Sequence, residues 1–241
     1  MMRFVLASNN KKKIAELKTI LSSLMPDSEV LSLEDIGYTD DIEETGQTFE
    51  ENSYIKASVP AKLGYIGVAD DSGLCVDALG GVPGVRSARY SGKGEHENNE
   101  KLLSELEDVP DGKRSARFVC VMTAVFPEGG TIVARGESEG VILRERRGEE
   151  GFGYDPLFYS PELGKTFAEA SPEEKNKVSH RGRALAAFCE KLGEFNKMTS
   201  LERQLTMMAP EARRRAVEQI SDMMGMPEKK KTAKRSDKKA D

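Results

Sequence analysis

Apolar and polar positions along this chain fall into blocks of changing period, and the blocks predict elements. Residues 3–7 (RFVLA) are a short, mostly apolar run of the kind a buried strand needs. From Lys11 to Leu24 the period becomes helical, with Ile14, Leu17, Leu21 and Leu24 on one face. Met25-Pro26-Asp27 ends that helix, and residues 29–33 read as a second strand. Strand, helix and strand at this spacing open a βαβ unit and point to an α/β fold. A further helix is expected over 47–63, with Pro60 marking a bend or break, followed by a strand over 65–69. Residues 70–94 are rich in Gly, include Pro83 and read largely as loop. A short helix over 98–106 precedes a hairpin of longer strands, 117–126 and 131–136, joined by Pro127-Glu128-Gly129-Gly130. Ser171-Pro172-Glu173-Glu174 starts a helix, with Ser as N-cap, Pro at the first helical position and Glu at the third. It predicts a last core helix running to about Phe195.

Beyond Phe195 the texture changes, and the expected organisation is a domain over 1–195, a helical extension over 196–226 and a basic tail over 227–241. Thr199-Ser200-Leu201-Glu202 is a second capping box ahead of a Met-rich segment interrupted by Pro210. Glu211–Met224 follows as a helix with Val217, Ile220 and Met224 on one face. The extension reads as a helical hairpin packed on the body or pairing with a second copy, or as a separate module for a partner. No internal repeat is present.

Charge and cysteine content narrow the class. The chain of 241 residues carries a formal net charge of −5. Residues 229–241 hold seven Lys/Arg against two Asp, so the tail is +5 and the body −10. An acidic body is not the footprint of a nucleic-acid-binding domain, so any such contact is weak and confined to the tail. The tail has no apolar residue larger than Ala and is expected to be disordered. No uncharged apolar run approaches the roughly 18 residues of a membrane helix, and the N-terminus does not read as a secretion signal. Cys75, Cys120 and Cys189 are odd in number, far apart and without CxxC spacing, which excludes a zinc ribbon and fits a reducing, cytoplasmic compartment. With only His96 and His180, a His-rich metal site is excluded by count.

Several short stretches carry candidate chemistry. Ser8, Asn9, Asn10, Lys11, Lys12 and Lys13 sit at a strand–helix junction, where free backbone N–H groups, the helix dipole and lysine charge suit a phosphate; without glycines this is no Walker loop. Glu43-Glu44-Thr45-Gly46 precedes the second helix, and Lys56 lies one or two turns in; the acids there also serve as ordinary dipole partners. Asp70-Asp71-Ser72-Gly73 closes an apolar strand. Adjacent carboxylates on a strand point to opposite sides, and hard oxygen donors without His suggest Mg²⁺. An Asx turn is the plainer alternative. Phe152, Gly153, Tyr154 and Asp155 form an aromatic–glycine loop suited to stacking on a base. Lys175, His180 and Arg181 cluster near the start of the last helix as donors to phosphate or carbonyl oxygens.

Taken together and in this order, these stretches resemble one family, the noncanonical purine nucleoside triphosphate pyrophosphatases, also called inosine/xanthosine triphosphate pyrophosphatases. The matching segments are SNNKKK (8–13), EETGQTFEENSYIKA (43–57), ADDSGLCVDALGGVPGVRSARYSG (69–92), GFGYDPLF (151–158) and EEKNKVSHRGRAL (173–185), spread over about residues 1–195. The resemblance implies an elongated two-lobed α/β domain, with a long curved mixed sheet flanked by helices around a central cleft. It implies a cytoplasmic homodimer and Mg²⁺-dependent hydrolysis of dITP, ITP or XTP to the monophosphate and pyrophosphate. By position, Ser8 to Lys13 resemble the triphosphate loop, with Lys13 stabilising phosphate charge. Glu44 and Asp71 match metal ligands, and Asp71 also matches the proton acceptor that activates water, with Asp70 as its support. Ser72 matches a substrate contact, Phe152 to Asp155 the base-side loop, and Lys175, His180 and Arg181 the pocket that reads the purine. Other readings are a Maf-like pyrophosphatase acting on modified or pyrimidine nucleotides, a nucleotide-sensing adaptor working through its C-terminal segment, and a nucleic-acid-binding enzyme. The SHR and FGYD motifs favour the first family, and the intact acids speak against a sensor.

Overall fold

The computed structural model describes residues 2–8, 11–198 and 200–223. The chain divides into two compact units, Met1–Met198 and Thr199–Asp241. The first is a mixed α/β unit built on a seven-stranded sheet of order β2-β1-β3-β4-β5-β6-β7. It opens with β1 (Arg3–Leu6), α1 (Lys11–Leu24) and β2 (Glu29–Ser32), and β1 runs parallel to both β2 and β3 (Ile66–Val76). The strands β4 (Ser115–Val125), β5 (Thr131–Ile142), β6 (Phe158–Ser160) and β7 (Lys165–Thr166) continue the sheet antiparallel. The βαβ opening and the long hairpin stand as their hydrophobic periods predict.

Three expectations change. First, residues 70–76 are strand rather than loop. The ladder between β3 and β4 runs from the Gly67–Val125 pair to the Val76–Ala116 pair, so cross-strand pairing overrides the local turn character of Asp70-Asp71-Ser72-Gly73. The two acids therefore lie inside β3. They stand where β1 has ended, because β1 pairs with β3 only from Phe4–Ile66 to Leu6–Val68. Second, α2 (Phe49–Lys62) runs through Pro60 and ends two residues later. Third, the last core helix is two helices, α4 (Pro172–Val178) and α5 (His180–Lys197). Ser179 divides them in an extended conformation, and its side chain accepts from the Gly182 N–H to cap α5.

The two faces of the sheet are covered by different helices. The would-be Cβ of Gly67 lies 1.8 Å from the Ala57 carbonyl oxygen, so α2 rests directly on β3 there. The Ser53 and Thr123 hydroxyls meet at 2.7 Å beside it. α5 crosses β5 at Gly136, where a Cβ would meet the His180 carbonyl and the Ala184 amide at 2.3 Å. Gly136 is paired with Cys120, and Cys120 with Ser72, so by alternation α5 covers the face of Asp70 and α2 the face of Asp71. A core of Phe118, Phe158 and Phe167 stacks under α5, joined by α3 (Glu95–Glu105) through Leu102. The second unit contains α6 (Ser200–Met207) and α7 (Pro210–Met223), the latter starting at Pro210. The Arg213 guanidinium joins these two helices by donating to the Leu205 and Thr206 carbonyls. Met224, the tail over 227–241 and the side chain of Ile220 lie outside the described residues.

Candidate active site

The site begins with the start of α2. Thr48 is its N-cap and Glu51 completes a capping box, the Glu51 amide donating to Thr48 Oγ1 at 3.1 Å. This sets the helix phase, so that Asn52 and Lys56, four apart, share one face. The close approach at Gly67 brings that face onto β3. Asn52 Nδ2 donates to Asp71 Oδ2 at 3.1 Å, while its Oδ1 accepts from the Gly46 amide at 2.8 Å. The same side chain thus orients Asp71 and pins the segment that carries Glu44. Lys56 Nζ lies 2.6 Å from Glu44 Oε1 and 3.6 Å from Asp71 Oδ1, an ammonium between two carboxylates. Arg89 Nη1 reaches Glu44 Oε2 at 3.2 Å.

Electrostatics separates the two acids. Burial pushes the Asp71 carboxyl above its ordinary value, and neighbouring Glu44 adds to that against the pull of Lys56 and Asn52. Burial also opposes ionisation of Glu44, but the hydrogen bond and charge of Lys56, with Arg89 behind them, hold its carboxyl below the usual range. Glu44 is therefore the firmer anion and Asp71 the more basic carboxylate. Among the described residues no group of three or more His, Cys, Asp or Glu is arranged around one point. Glu44 and Asp71 still fit Mg²⁺, which is held by one or two carboxylates with substrate phosphates completing its shell. The ammonium of Lys56 against both acids shows that a cation is accommodated there.

Asp70 turns the other way, into a cavity of about 640 Å³ under α4 and α5. Cys120, Met122, Phe152, Lys175, His180 and Arg181 are among its lining residues. Ser72 Oγ donates to Asp70 Oδ2 at 3.3 Å. Phe152 is 49% exposed, with Lys175 Nζ 4.6 Å and the Arg181 guanidinium carbon 5.0 Å from its ring centroid. Both are cation–π contacts. Asp155 is buried and holds Lys175 Nζ at 2.5 Å, while its Oδ2 also accepts from the Phe152 amide at 2.8 Å. Burial pushes the Asp155 carboxyl up against the pull of Lys175. His180 is buried and stacks on Phe118 with ring centroids 4.8 Å apart. Arg181 Nε is buried without a hydrogen-bond partner among the described residues.

The predicted residues therefore separate into two groups joined by β3. Glu44 and Asp71 share Lys56 on the α2 side, and Phe152, Lys175, His180 and Arg181 meet with Asp70 in the cavity. Gly153 lies in the same loop as Phe152, held from α3. Tyr154 does not line the cavity; it is buried, and its hydroxyl donates to the Ser87 carbonyl at 2.9 Å. Ser8 follows β1, just past the bond from the Ala7 amide to the Val68 carbonyl (2.8 Å), two residues short of Asp70. Asn9, Asn10 and the side chains of Lys11, Lys12 and Lys13 lie outside the described residues. Asn52 and Arg89 carry geometry that sequence reasoning missed. The Asn52–Lys56 spacing is a readable signal once the Thr48 cap sets the helix phase.

Comparison with known proteins now decides the family. The sequence model of the Ham1 family matches residues 4–191. The chain belongs to the Ham1 family. This Ham1 chain is 50% identical over 201 residues to a protein from Clostridium perfringens named dITP/XTP pyrophosphatase, covering 80% of the chain and 98% of that relative. A dITP/XTP pyrophosphatase from Geobacter sulfurreducens is 52% identical over 196 residues, covering 80% and 98%. The solved Ham1 protein of Staphylococcus aureus superposes with a TM-score of 0.74 at 44% identity, covering 79% of this chain and 97% of that one. The Ham1 match ends at residue 191, inside α5, before the second unit begins.

Proposed function

We propose that the chain is a nucleoside triphosphate pyrophosphatase that hydrolyses dITP, ITP and XTP to the monophosphate and pyrophosphate, with Mg²⁺, and so clears deaminated purines from the nucleotide pool. The observation that carries this reading is the pair of consecutive acids on β3. Asp71 shares the Lys56 ammonium with Glu44, and Asp70 opens into a cavity holding an aromatic platform and two cations. The names of the similar proteins point to the same activity.

Each residue then has a task. When bound by Glu44 and Asp71, Mg²⁺ supplies neutralisation of phosphate charge. Ser8 to Lys13, Lys56 and Arg89 contribute hydrogen bonds and positive charge to the triphosphate, and Ser72 adds a contact. Water attacks the α-phosphorus and gives a proton to Asp71, whose raised proton affinity suits a base. The bond from the α-phosphorus to the bridging oxygen breaks, and pyrophosphate leaves. Phe152 stacks on the purine. The buried Arg181 Nε–H, without a partner among the described residues, donates to the 6-carbonyl oxygen of hypoxanthine or xanthine. The 6-amino group of adenine leaves that donor unpaired, which is how a site rejects an analogue strongly. Lys175 is engaged by Asp155 and Phe152, so its role is to set the loop and the local field. A cytoplasmic homodimer is the assembly and compartment we carry over from the family resemblance. Among the described residues no helix is long and apolar enough to cross a membrane.

The test is pyrophosphate release from ITP with and without Mg²⁺, beside Asp71→Asn. Release that needs the ion and falls at least about 100-fold in the variant supports this reading. Release that persists in EDTA or in the variant overturns it.

A further inference from the structure

The loop that carries Phe152 is held from α3 through both backbone groups of one residue. The Gly153 amide donates to Glu95 Oε2 at 3.0 Å, and the Gly153 carbonyl accepts from Asn99 Nδ2 at 2.9 Å. Glu95 and Asn99 are four apart and adjacent on one helix face. Asn99 Nδ2 also donates to the Glu95 carbonyl at 2.7 Å, which fixes the rotation of the amide. Gly153 has a left-handed φ of 61° and no atom within 4 Å of its would-be Cβ, so no side chain anchors the loop at this point. On the other side of Phe152, its own amide is tied to Asp155 Oδ2 at 2.8 Å. The peptide units flanking the ring are thus both fixed, while the ring itself stays half exposed beside Lys175 and Arg181.

The helix that does this is itself anchored. Asn98 Nδ2 donates to the Ser87 and Ala88 carbonyls at 3.3 and 3.2 Å, and its Oδ1 accepts from the Ser91 amide at 2.7 Å. The Tyr154 hydroxyl reaches the same Ser87 carbonyl. Two neighbouring asparagines on α3 thus hold two loops, one carrying Arg89 and one carrying Phe152.

We propose that Glu95 and Asn99 are positioning residues that hold Phe152 as a preset stacking platform for the purine of the substrate. The proposal rests on the purine triphosphate reading above. A platform fixed before binding loses less conformational freedom when the base arrives. It serves ground state and transition state alike, so its loosening raises KM and leaves kcat.

The experiment is a double-mutant cycle on pyrophosphate release from ITP with Mg²⁺. It uses the full chain, Glu95→Ala, Asn99→Ala, Phe152→Ala and the two doubles with Phe152→Ala. Each α3 variant is expected to raise KM roughly five- to tenfold, the lower end of what one lost base stack costs, with kcat within about twofold. Glu95→Gln, whose amide oxygen still accepts, is expected to restore KM. In the Phe152→Ala background the α3 changes are expected to add nothing. The exposed Glu95 site keeps the test open if Asn99→Ala fails to fold. Unchanged KM in Glu95→Ala, a loss in kcat alone, or an equal further loss in the Phe152→Ala background overturns the proposal. Absence of pyrophosphate release by the unaltered chain is a different result: it removes the proposed activity and this inference with it.

Discussion

At the residue scale, the site is organised by carboxylates that each do more than one thing. Asp155 is 1% exposed, neutralises Lys175 and holds the Phe152 amide. Removing one partner of a buried ion pair strands the other, at a cost of about 3 kcal/mol. Asp155→Ala is therefore expected to lower the unfolding free energy measured in urea by that amount and to raise KM for ITP together, because the loop and the cation move at once. A stable variant with unchanged KM contradicts this assignment. Much of this grouping was legible in residue types: Phe152, Lys175, His180 and Arg181 do converge on one cavity. The pairing of Lys175 with Asp155 was not legible, because it joins residues of two separate segments. Nor was the burial of Tyr154, which depends on a carbonyl of the 84–89 segment.

At the element scale, small residues set where helices touch the sheet. A methyl at Gly67 would lie 1.8 Å from the Ala57 carbonyl oxygen, backbone against backbone, so α2 must move. Gly67→Ala is expected to cost at least about 2 kcal/mol and to withdraw Asn52 and Lys56 from Asp71, lowering kcat as well as the melting temperature. A variant of normal stability and activity refutes that account of α2. A second link ties α1 to the segment after β2. Asp35 accepts from Lys18 Nζ at 2.8 Å and from the Ser32 amide at 2.7 Å, and these bonds, Lys18 first, bring its carboxyl from 3.8 down to about 2. The folded chain holds fewer protons here, so the stabilisation is present above about pH 4 and fades as pH falls toward 2. The pair is exposed and screened, so Asp35→Asn is expected to cost only about 0.5 kcal/mol at pH 7. Urea midpoints should show that gap shrinking at pH 3; a constant gap excludes the ionic contribution. The start of α4 was legible, since Ser171-Pro172-Glu173-Glu174 caps it as its side chains dictate, whereas α3 begins at Glu95, three residues ahead of its expected start. The extension of β3 through Asp70 and Asp71 was hidden, because Asp, Ser and Gly are turn residues locally and only the β4 ladder holds them extended. The division at Ser179 was hidden too, since the polar positions around it continue a helical period.

At the scale of the whole molecule, the proposed site residues all belong to the first unit. Its boundary at Met198 falls seven residues beyond the Ham1 match and three beyond the boundary expected from the change in composition after Phe195. A chain ending at residue 198 is expected to keep its melting temperature within a few degrees and its pyrophosphate release within about twofold. Loss of either on truncation would give the second unit a part in folding or catalysis.

The claim on which the account turns is recognition of a deaminated purine by a triphosphate-cleaving site. The direct measurement compares kcat/KM for pyrophosphate release from ITP, XTP, dITP, ATP and GTP by the full chain with Mg²⁺. The account predicts rates for ITP, XTP and dITP at least about 100-fold above that for ATP, the discrimination that an unpaired buried donor sustains. Equal hydrolysis of ATP would contradict it and remove the cavity under α4 and α5 as the reader of the base.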